Sequence, residues 1–513
     1  MMASSDGTLS VEVEMPPAAS DGPAPIRSPK GEAGRWQHPG PEAEGGDECD
    51  DMVTRPLNPR PPGLLSPEAS QLERLQRATR ALCWVASCGL LLALVVSGAV
   101  AALYGMGGLE CEWAESRATR VHAPRLLLIS FDGFRFDYID RAQVQAQWLR
   151  KFRGEGTHAA RMLPVYPSKT FPNHYSIVTG LYPPWHGVVD NGFCYKDWAP
   201  CFSMQNKEPR YWLGEPIWQT AALQGLPATT AFWPGSEVPK PGWPCDDPAV
   251  CLPYHGAMSY DDRVDGMLAK FDGPEAGWPA FGTLYFEETD HIGHGMGTDC
   301  PEMTAGIERL DAAMGRLLEG LEGRGALEGT NVILVGDHGM ASLCDNRMVY
   351  LDELMPTLNV SWVTQWGTKV AISPPRGAEG QIEDIVSQLR AAAADRGAPL
   401  DVYRREDLPR RLHYSDSDRI PAIIGLVGEG YTATTRAHRA QNGPQCGGAH
   451  GFDNALQSMG TVFIGRGPRF AQGRAVEAFE NVELYAVMAD ILRIEPAPNN
   501  GTSGFPGRLL LRE

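Results

Sequence analysis

Three short apolar runs in this chain each end on an acidic residue. They span Arg125–Asp132 (RLLLISFD), Phe281–Asp290 (FGTLYFEETD) and Asn331–Asp337 (NVILVGD), and His338 directly follows the last of them. A short run that is apolar throughout is typical of a strand buried on both faces of a parallel sheet. In open α/β sheets, binding sites form at the carboxyl ends of such strands. The pattern therefore predicts an α/β fold with a mostly parallel central sheet and a ligand-binding edge.

Helix-like segments lie between and after the strand candidates, which is the arrangement that a parallel sheet requires. Thr304–Arg324 and Ile382–Arg396 both show the apolar spacing of amphipathic helices. Gln457–Gly465 is predicted to be a late strand, and Phe479–Ile494 a closing helix. The composition shows no further break after the amino-terminal segments, so residues 109–513 are predicted to form one domain flanked by helices.

The first 108 residues differ in composition from the rest of the chain. Residues 1–80 are rich in Pro, Gly, Ser, Glu and Asp without apolar periodicity, and are predicted to be a disordered tail. Residues 81–108 carry no charge and are long enough to cross a bilayer, which takes roughly 20 apolar residues. A buried core helix is the alternative. A cleaved signal peptide is disfavoured because a long segment precedes the apolar run.

The charges that flank the apolar run predict its orientation. The flanking residues are Arg74, Arg77 and Arg80 before the run and Glu110, Glu112 and Glu115 after it. Positive charge is retained on the cytoplasmic side of a membrane, so the tail is predicted to be cytoplasmic and the rest extracellular or luminal. This is a single-pass, type II arrangement with a signal anchor. In that compartment Asn359 and Asn500 would be N-glycosylation acceptors.

Most of the cysteines follow the predicted membrane span, on the side where disulfides persist. The close pairs Cys194/Cys201 and Cys245/Cys251 could each close a small loop, although the sequence leaves the connectivity open. A zinc–thiolate site is the alternative, and it is disfavoured because no CxxC pair follows the span.

The net charge of −18, without any block dense in Lys or Arg, disfavours binding to long nucleic acids. A small anionic substrate remains compatible with this charge, because bound metal ions can dominate the local field. No pattern in the sequence indicates an obligate protein partner.

Six residues of metal-ligand type lie at turn-like positions near the predicted strand ends. They are Asp132, Asp290, His294, Asp337, His338 and His450. Zinc prefers imidazole nitrogen and carboxylate oxygen, and a catalytic zinc keeps a position open for substrate. The glycines of TDHIGHG predict a loop around Asp290 and His294, and His450 lies in the glycine-flanked turn CGGAHGFDN. A structural role is the better interpretation for any single histidine, whereas the whole set favours a hydrolase that uses two metal ions.

Thr170, in the segment KTFPNHYS, is the candidate nucleophile. A hydroxyl is a weak nucleophile until metal coordination lowers its pKa. Because Pro172 and a helix-compatible stretch follow, Thr170 is predicted to stand near a helix amino terminus, where N–H groups favour an anionic oxygen. The alternative is an ordinary helix-capping threonine.

Several of these segments carry a resemblance to a known family. KTFPNHYSIVTGLYP, the Asp290–His294 pair, GDHGM, the AHG turn and FENVELY…PAPNNGT closely resemble the ectonucleotide pyrophosphatase/phosphodiesterase family, and they occur in the same order. The resemblance covers essentially the whole segment from about Arg125 to Gly504. It implies an alkaline-phosphatase-like α/β fold with two zinc ions, in a compact form without somatomedin-B-like or nuclease-like domains.

The resemblance also implies the role of each site residue. One zinc would be held by Asp290, His294 and His450. The other would be held by Asp132, Asp337 and His338, with the oxygen of Thr170. Thr170 would attack phosphorus and form a phosphothreonine, while Asn191 of VVDNGF would help to stabilise the phosphoryl oxygen. Hydrolysis of that intermediate would release a nucleoside 5′-monophosphate.

The implied substrates are nucleotides such as ATP, NAD or nucleotide sugars. Phe171, Trp233 and Tyr285 match aromatic positions that line a base slot in nucleotide-cleaving members, and the alternative is that they are core aromatics. Leu213 stands where animal members carry a Lys that meets the base, and Glu237 replaces an Asp. A lysophospholipid or choline phosphodiester is the alternative substrate. A catalytically silent domain is disfavoured because no ligand is lost, and a phosphomonoesterase because that class usually carries Ser and an Arg clamp.

Overall fold

The computed structural model of the protein describes residues 124–511, except residues 196, 197, 345 and 443–445. The predicted tail (residues 1–80) and the predicted membrane span (residues 81–108) lie outside the described residues. Within the described part of the chain, no helix has both the length and the apolar character that crossing a bilayer demands.

The strands and helices of the described residues are numbered here in chain order. The strands are β1 (Leu126–Phe131), β2 (Thr157–Ala159), β3 (Met162–Leu163), β4 (Ala228–Ala231), β5 (Cys251–Leu252), β6 (Phe281–Phe286), β7 (Asn331–Val335), β8 (Ala341–Leu343), β9 (Met348–Tyr350), β10 (Val363–Gln365), β11 (Lys369–Ile372), β12 (Leu400–Arg404), β13 (Ile423–Val427), β14 (Thr432–Thr434), β15 (Gly447–Ala449), β16 (Phe463–Arg466), β17 (Arg474–Val476) and β18 (Phe479–Glu480). The α-helices are α1 (Gln147–Gly154), α2 (Thr170–Thr179), α3 (Pro183–His186), α4 (Ile217–Leu223), α5 (Tyr260–Leu268), α6 (Glu288–Met296), α7 (Pro301–Gly323), α8 (Leu351–Leu354), α9 (Ile382–Arg396), α10 (Arg436–Asn442), α11 (Leu484–Leu492) and α12 (Pro506–Leu509).

An eight-stranded sheet in the order β17-β2-β16-β7-β1-β6-β4-β5 organises the larger part of the structure. β1 pairs in parallel with both β6 and β7, whereas β16 is antiparallel to its two neighbours. The three acid-terminated runs are thus adjacent strands, which confirms the predicted mostly parallel α/β sheet. Their register sets Phe131 beside Phe286 and Ser130 beside Val335, so all three strands deliver the chain to the same edge.

Helices cover both faces of this sheet, which explains why its central strand is apolar at every position except Ser130. All six side chains of β1 are buried. Leu128 packs in a cluster with residues of α2 and α11, and its neighbour Ile129 packs in a second cluster with residues of α1 and α7. Consecutive residues of a strand point to opposite faces, so a sheet covered on both sides selects apolar residues at every position.

A smaller antiparallel sheet, in the order β10-β11-β13-β12, has its own hydrophobic core with α9. α9 spans Ile382–Arg396, as the sequence predicts, and ends where Gly397 adopts a φ of 61°. Leu389 lies on the buried side of α9, and Ile423 of β13 contributes from the sheet. The first residue of β11, Lys369, is fully buried.

Three other predictions of secondary structure have mixed outcomes. The helix predicted over Thr304–Arg324 is confirmed as α7, which begins earlier because Pro301 is well suited to a first helical position. The strand predicted over Gln457–Gly465 is confined to β16, after a single 3₁₀ turn. The predicted closing helix begins only at Leu484, because Phe479–Glu480 instead pairs in parallel with β3.

The two close cysteine pairs form disulfides, as predicted. Cys194 is bonded to Cys201, and Cys245 to Cys251. The first bond closes a small loop directly after Asn191, and the second joins β5 to the loop before it.

Replacing Leu128 by Ala is expected to lower the free energy of unfolding by about 2–5 kcal/mol, because the truncation leaves a cavity inside the core. The Leu128 side chain has 0% exposure. Urea unfolding followed by circular dichroism measures the loss. Leu223→Ala removes the same atoms from a side chain that is 53% exposed, and should change the free energy by less than about 0.5 kcal/mol. Equal losses in the two variants would contradict the central position of β1.

Candidate active site

The carboxyl ends of the three central strands bring three aspartates to one crevice. Asp132 directly follows β1, and Asp337 lies just beyond the end of β7. Asp290 lies in α6, the helix that follows β6. Asp132 and Asp337 are buried, and Asp290 is partly buried. The edge predicted to bind a ligand therefore carries three carboxylates in close proximity.

The segment TDHIGHG is helical, which corrects the predicted loop. In α6, Asp290 and His294 are one turn apart and share a face. Position 293 of this helix is a glycine because Met340 packs closely against it. A Cβ there would lie 2.9 Å from the Met340 Cε atom. The helix ends only at Gly297, whose φ is 84°. Glycine in this helix therefore provides room for a neighbour and does not interrupt the helix.

Asp290, His294 and His450 form the first candidate metal position. The Nε2 atoms of His294 and His450 are 3.1 Å apart. Oδ1 of Asp290 lies 3.4 Å from Nε2 of His294 and 3.5 Å from Nε2 of His450. The three ligand atoms lie within 4.8 Å of one another, which is close enough for one cation to contact all of them.

Two glycines of β15 set the distance between His294 and His450. A Cβ on Gly447 would lie 2.1 Å from the carbonyl oxygen of His294, and a Cβ on Gly448 would lie 2.7 Å from that of Gly293. β15 also pairs with β8, and His450 follows β15 directly. The backbone of β15 therefore lies directly against α6, and this contact brings the two imidazoles together.

Asp132, Asp337, His338 and Thr170 form the second candidate position. Nε2 of His338 lies 3.0 Å from Oδ2 of Asp337 and 3.4 Å from Oδ1 of Asp132. It also lies 3.3 Å from Oγ1 of Thr170, the first residue of α2. Asp132, Asp290 and His338 also lie close enough together to share a cation, so the two positions belong to one continuous crevice.

Backbone carbonyls orient all three imidazoles. The Nδ1 atoms lie 3.1 Å from the Gly448 oxygen for His294, 2.9 Å from the Gly339 oxygen for His338, and 2.9 Å from the Ser168 oxygen for His450. Each Nδ1–H can donate to its carbonyl, and this tautomer leaves the Nε2 lone pair directed into the crevice. Imidazoles oriented in this way suit a divalent metal such as zinc.

Each of the three carboxylates also has oxygens available for a cation in the crevice. Oδ2 of Asp132 accepts a hydrogen bond of 2.6 Å from the Tyr285 hydroxyl, and Oδ1 of Asp337 accepts one of 3.0 Å from the Gly133 N–H. Of the remaining oxygens, Asp132 Oδ1 and Asp290 Oδ1 are buried and accept no hydrogen bond from any described residue, whereas Asp337 Oδ2 faces Nε2 of His338 at 3.0 Å. Buried charges of this kind are costly unless they are paired or coordinate a metal. The residues present therefore fit a site for divalent cations.

Crowding and burial shift the pKa values of these carboxyl groups. Burial, together with the charges of Asp337 and Asp290, raises the pKa of Asp132 well above its usual value. Burial likewise raises the pKa of Asp290. Burial opposes ionisation of Asp337 too, but His338 and His174 outweigh it and hold its pKa well below the usual value. Asp132 is therefore the carboxylate on which a proton competes most strongly with a cation.

His174 is a buried residue of this site that the sequence analysis did not identify. Its Nδ1 atom lies 2.9 Å from the Thr170 carbonyl oxygen and 3.4 Å from Oδ2 of Asp337. Its Nε2 atom lies 2.8 Å from Oγ of Ser130, in β1. It therefore connects the first turn of α2 to the sheet edge. A histidine on the inner face of an apolar helix has no spacing signal that separates it from an ordinary core residue.

The aromatic residues predicted to line a base slot lie in different surroundings. Phe171 is partly exposed. Trp233 is 2% exposed, and its Nε1–H donates to the His174 carbonyl oxygen at 3.1 Å, so it belongs to the core. Tyr285 is 9% exposed, and its hydroxyl is engaged by Asp132. Trp233 and Tyr285 are thus mostly buried in this structure, and their role in holding a base stays a prediction.

Tyr254 supplies an exposed ring that the sequence analysis did not identify. Its side chain is 50% exposed, and its ring centroid lies 6.2 Å from that of Tyr285 in an edge-to-face arrangement. Its backbone N–H donates to Oε1 of Glu237 at 3.2 Å, which ties its loop to the segment FWPGSE. A tyrosine in a loop rich in Pro and Gly carries no sequence pattern that indicates a binding role.

Asn191 lies against the amino terminus of α2. Its Oδ1 atom accepts a hydrogen bond of 2.9 Å from the backbone N–H of Phe171. This contact places the Asn191 side chain next to the residue that follows Thr170. The structure thus gathers the predicted nucleophile, the predicted phosphoryl-binding amide and both predicted metal positions at one edge of the sheet.

Known proteins resemble this chain over the described region. The model of the family described as type I phosphodiesterase/nucleotide pyrophosphatase matches residues 126–453. Ectonucleotide pyrophosphatase/phosphodiesterase family member 3 of Bos taurus is 36% identical over 392 residues, which cover 75% of this chain and 44% of that protein. Venom phosphodiesterase 2 of Crotalus adamanteus is 37% identical over 393 residues, covering 75% and 47%. The chain spans about half the length of the curated relatives it matches.

Solved structures match the fold as well. One is murine ectonucleotide pyrophosphatase/phosphodiesterase 5, an inactive threonine-to-alanine variant in complex with AMP. It superposes with a TM-score of 0.67 at 29% identity, over 75% of this chain and 99% of that chain. The human counterpart gives a TM-score of 0.67 at 30% identity, over 75% and 99%. These matches agree with the α/β architecture described above.

Binding of zinc to this crevice is expected to release protons at pH values where Asp132 is protonated, because burial and neighbouring carboxylates raise its pKa and a proton then competes with the cation. A group with a raised pKa stays protonated to higher pH, so the apparent affinity for zinc should increase as the pH rises. Calorimetric titration in buffers of different ionisation enthalpy measures the number of protons released.

Asp132→Asn should bind zinc more weakly and release fewer protons per zinc. The control is Asp401→Asn, which alters an exposed aspartate of β12 and should leave both quantities unchanged. An affinity that is independent of pH in the unmodified protein would contradict this assignment of the crevice.

Proposed function

The chain belongs to the type I phosphodiesterase/nucleotide pyrophosphatase family, and on this basis we propose that it hydrolyses phosphodiester and pyrophosphate bonds of nucleotides, releasing nucleoside 5′-monophosphates. One observation carries the proposal: Oγ1 of Thr170 stands at a helix amino terminus, 3.3 Å from His338 and beside two candidate metal positions. A related structure, described as an inactive threonine-to-alanine variant with bound AMP, supports both the nucleophile and the product.

We propose that two zinc ions occupy the crevice. One set of ligands is Asp290, His294 and His450. The other is Asp132, Asp337, His338 and Thr170, and its support is the short distances from Nε2 of His338 to the other three side chains. When bound, zinc would lower the pKa of a coordinated hydroxyl or water and stabilise the leaving oxygen. The oriented Nε2 atoms and the open carboxylate oxygens described above support this proposal.

The residues of the chain supply the remaining chemistry. The hydroxyl of Thr170 loses its proton to solvent and its oxygen attacks phosphorus. A new O–P bond forms as the P–O bond to the leaving group breaks, and the leaving group departs with that electron pair. Thr170 is the first residue of α2, where the positive end of the helix dipole favours negative charge on the nucleophile. Water then hydrolyses the phosphothreonine, which restores Thr170 and releases the monophosphate. The Asn191 amide nitrogen can donate to a phosphoryl oxygen, because its Oδ1 atom is engaged by the Phe171 N–H.

Exposed aromatic rings support a nucleotide as the substrate. Tyr254 is 50% exposed and Phe171 is half-buried, and stacking on such aromatic rings can hold a base of any identity. Leu213 is 42% exposed and offers no charge at the position where the family's animal members carry a lysine. We therefore propose that base stacking contributes more to substrate binding than polar contacts with the base edge.

Thr170→Ala is expected to reduce AMP release from ATP and NAD by about 10³-fold or more, because the attacking oxygen is lost. Thr170→Ser retains a hydroxyl and should keep measurable activity. Chromatographic assays of ATP, NAD, a nucleotide sugar and glycerophosphocholine, with and without a chelator, measure these effects. Activity confined to glycerophosphocholine would exclude the nucleotide assignment, and full activity in Thr170→Ala would exclude the mechanism.

We also propose that residues 81–108 anchor the protein in a membrane, with the catalytic domain (residues 109–513) outside the cytoplasm. The uncharged run and its flanking charges support this topology. Asn359 is exposed, whereas Oδ1 of Asn500 accepts a hydrogen bond from the Tyr182 N–H. Asn359 is therefore the more accessible glycan acceptor.

Expression in a eukaryotic secretory pathway should give a product whose mass falls on glycosidase treatment, and Asn359→Gln should remove most of that change. Protease added to intact cells should cleave the catalytic domain if the protein reaches the cell surface. A protein without glycan that remains protected in sealed microsomes would contradict the topology.

A further inference from the structure

A buried ionic cluster lies outside the metal crevice and has no role in the mechanism above. Asp190 is 2% exposed and lies between two lysines. Its Oδ1 atom is 2.9 Å from Nζ of Lys169, and its Oδ2 atom is 2.6 Å from Nζ of Lys369. Burial opposes ionisation of Asp190, but Lys169 and Lys369 outweigh it and lower its pKa to about 2. Asp190 is therefore ionised at neutral pH, although burial also lowers the pKa of Lys369.

Lys369 brings the smaller sheet into this cluster. It is the first residue of β11, its side chain is fully buried, and its Nζ atom also donates to the Tyr414 hydroxyl at 2.9 Å. The Tyr414 hydroxyl in turn donates to the Val189 carbonyl oxygen at 2.7 Å. The smaller sheet and the loop that carries Tyr414 are therefore bound to consecutive residues of one segment, Val189 and Asp190.

The same segment is bound to both sequence neighbours of Thr170. Lys169, which precedes Thr170, pairs with Asp190. The N–H of Phe171, which follows Thr170, donates to Asn191. Oδ1 of Asp190 also accepts the backbone N–H of Asn191 at 2.8 Å, which fixes the loop on which that side chain stands. The backbone on either side of Thr170 is thus connected through Asp190 to Lys369.

We propose that Asp190 and Lys369 are positioning residues, which hold Asn191 and the start of α2 in the geometry that Thr170 needs for in-line attack on phosphorus. This inference rests on the function proposed above. The desolvation cost of a buried ion pair largely offsets its attraction, so stability alone is a weak reason to retain a charged pair in this position. Reaction geometry is a stronger reason, because a displacement of about 1 Å can cost about 100-fold in rate.

The test compares Asp190→Asn with the double variant Asp190→Asn/Lys369→Met in the full-length, zinc-loaded protein. The single variant leaves Lys369 buried without its carboxylate, so its melting temperature should fall. The double variant also removes that unpaired charge, so the melting temperature should recover. In both variants kcat for AMP release should fall by about 30- to 100-fold, with KM changed less than about threefold, because the start of α2 is displaced.

Lys151→Met is the matched control, because Lys151 is a surface lysine whose side chain is 56% exposed. It should leave kcat, KM and the melting temperature unchanged. If kcat recovered together with the melting temperature in the double variant, the cluster would serve stability only and the proposal would be overturned. A loss confined to KM would also overturn it, since that result indicates substrate binding and not positioning.

Hydrogen exchange separates this proposal from the function on which it rests. The Phe171 N–H is held by Asn191, so amide exchange of the peptide that contains Thr170 should be faster in both Asp190 variants than in the unmodified protein. This measurement requires no activity. Absence of AMP release by the unmodified protein would refute the proposed function, whereas unchanged exchange in the variants would refute the positioning role.

Discussion

Repulsion among Asp132, Asp290 and Asp337 is the constraint on which the site and much of the surrounding fold depend. Parallel pairing of β1 with β6 and β7 brings the chain to one edge, and the helices on both faces of the sheet exclude water there. Tyr285 and the Gly133 N–H each satisfy one oxygen, and the oriented imidazoles face the others. The described side chains do not fully offset the negative charge of the three carboxylates. The pKa of Asp132 reflects this, since burial and the neighbouring carboxylates raise it well above its usual value. The crevice is thus built for cations that the chain itself does not supply.

The parts of the structure that follow from local sequence could be predicted. The central strands are apolar because both faces of the sheet are covered, and α9 has the spacing of a helix with one buried side. The aspartates and histidines could be identified because such residues are unusual directly after apolar strands. Predictions of secondary structure from local sequence were wrong where contacts with distant segments determine the local conformation. Gly293 lies inside a helix because Met340 needs its space, and Phe479 begins a strand because β3 is available to pair with it.

Burial and distant partners determine the surroundings of several site residues, and neither can be read from local sequence. The resemblance implies a base slot lined by Trp233 and Tyr285, and their low exposure, which the sequence does not report, leaves that role a prediction. His174 and Lys369 acquire their roles only through contacts with residues far away in the chain. The Tyr414–Val189 hydrogen bond, for example, spans 225 residues and brings the smaller sheet to the nucleophile segment. Such pairs leave no periodic signal, so they become visible only when the two sheets are seen together.

The contact between β15 and α6 has a consequence for how this site can change over evolution or by design. The gap between His294 and His450 is set by two peptide backbones in direct contact, and Gly447 and Gly448 leave no room for any side chain between them. The spacing of these two candidate ligands therefore depends on residues outside the candidate metal position. A single methyl group at either glycine would push the two backbones apart and separate the imidazoles, although every candidate ligand residue would be retained. Selectivity among cations of different radius could thus be altered from outside the coordination sphere.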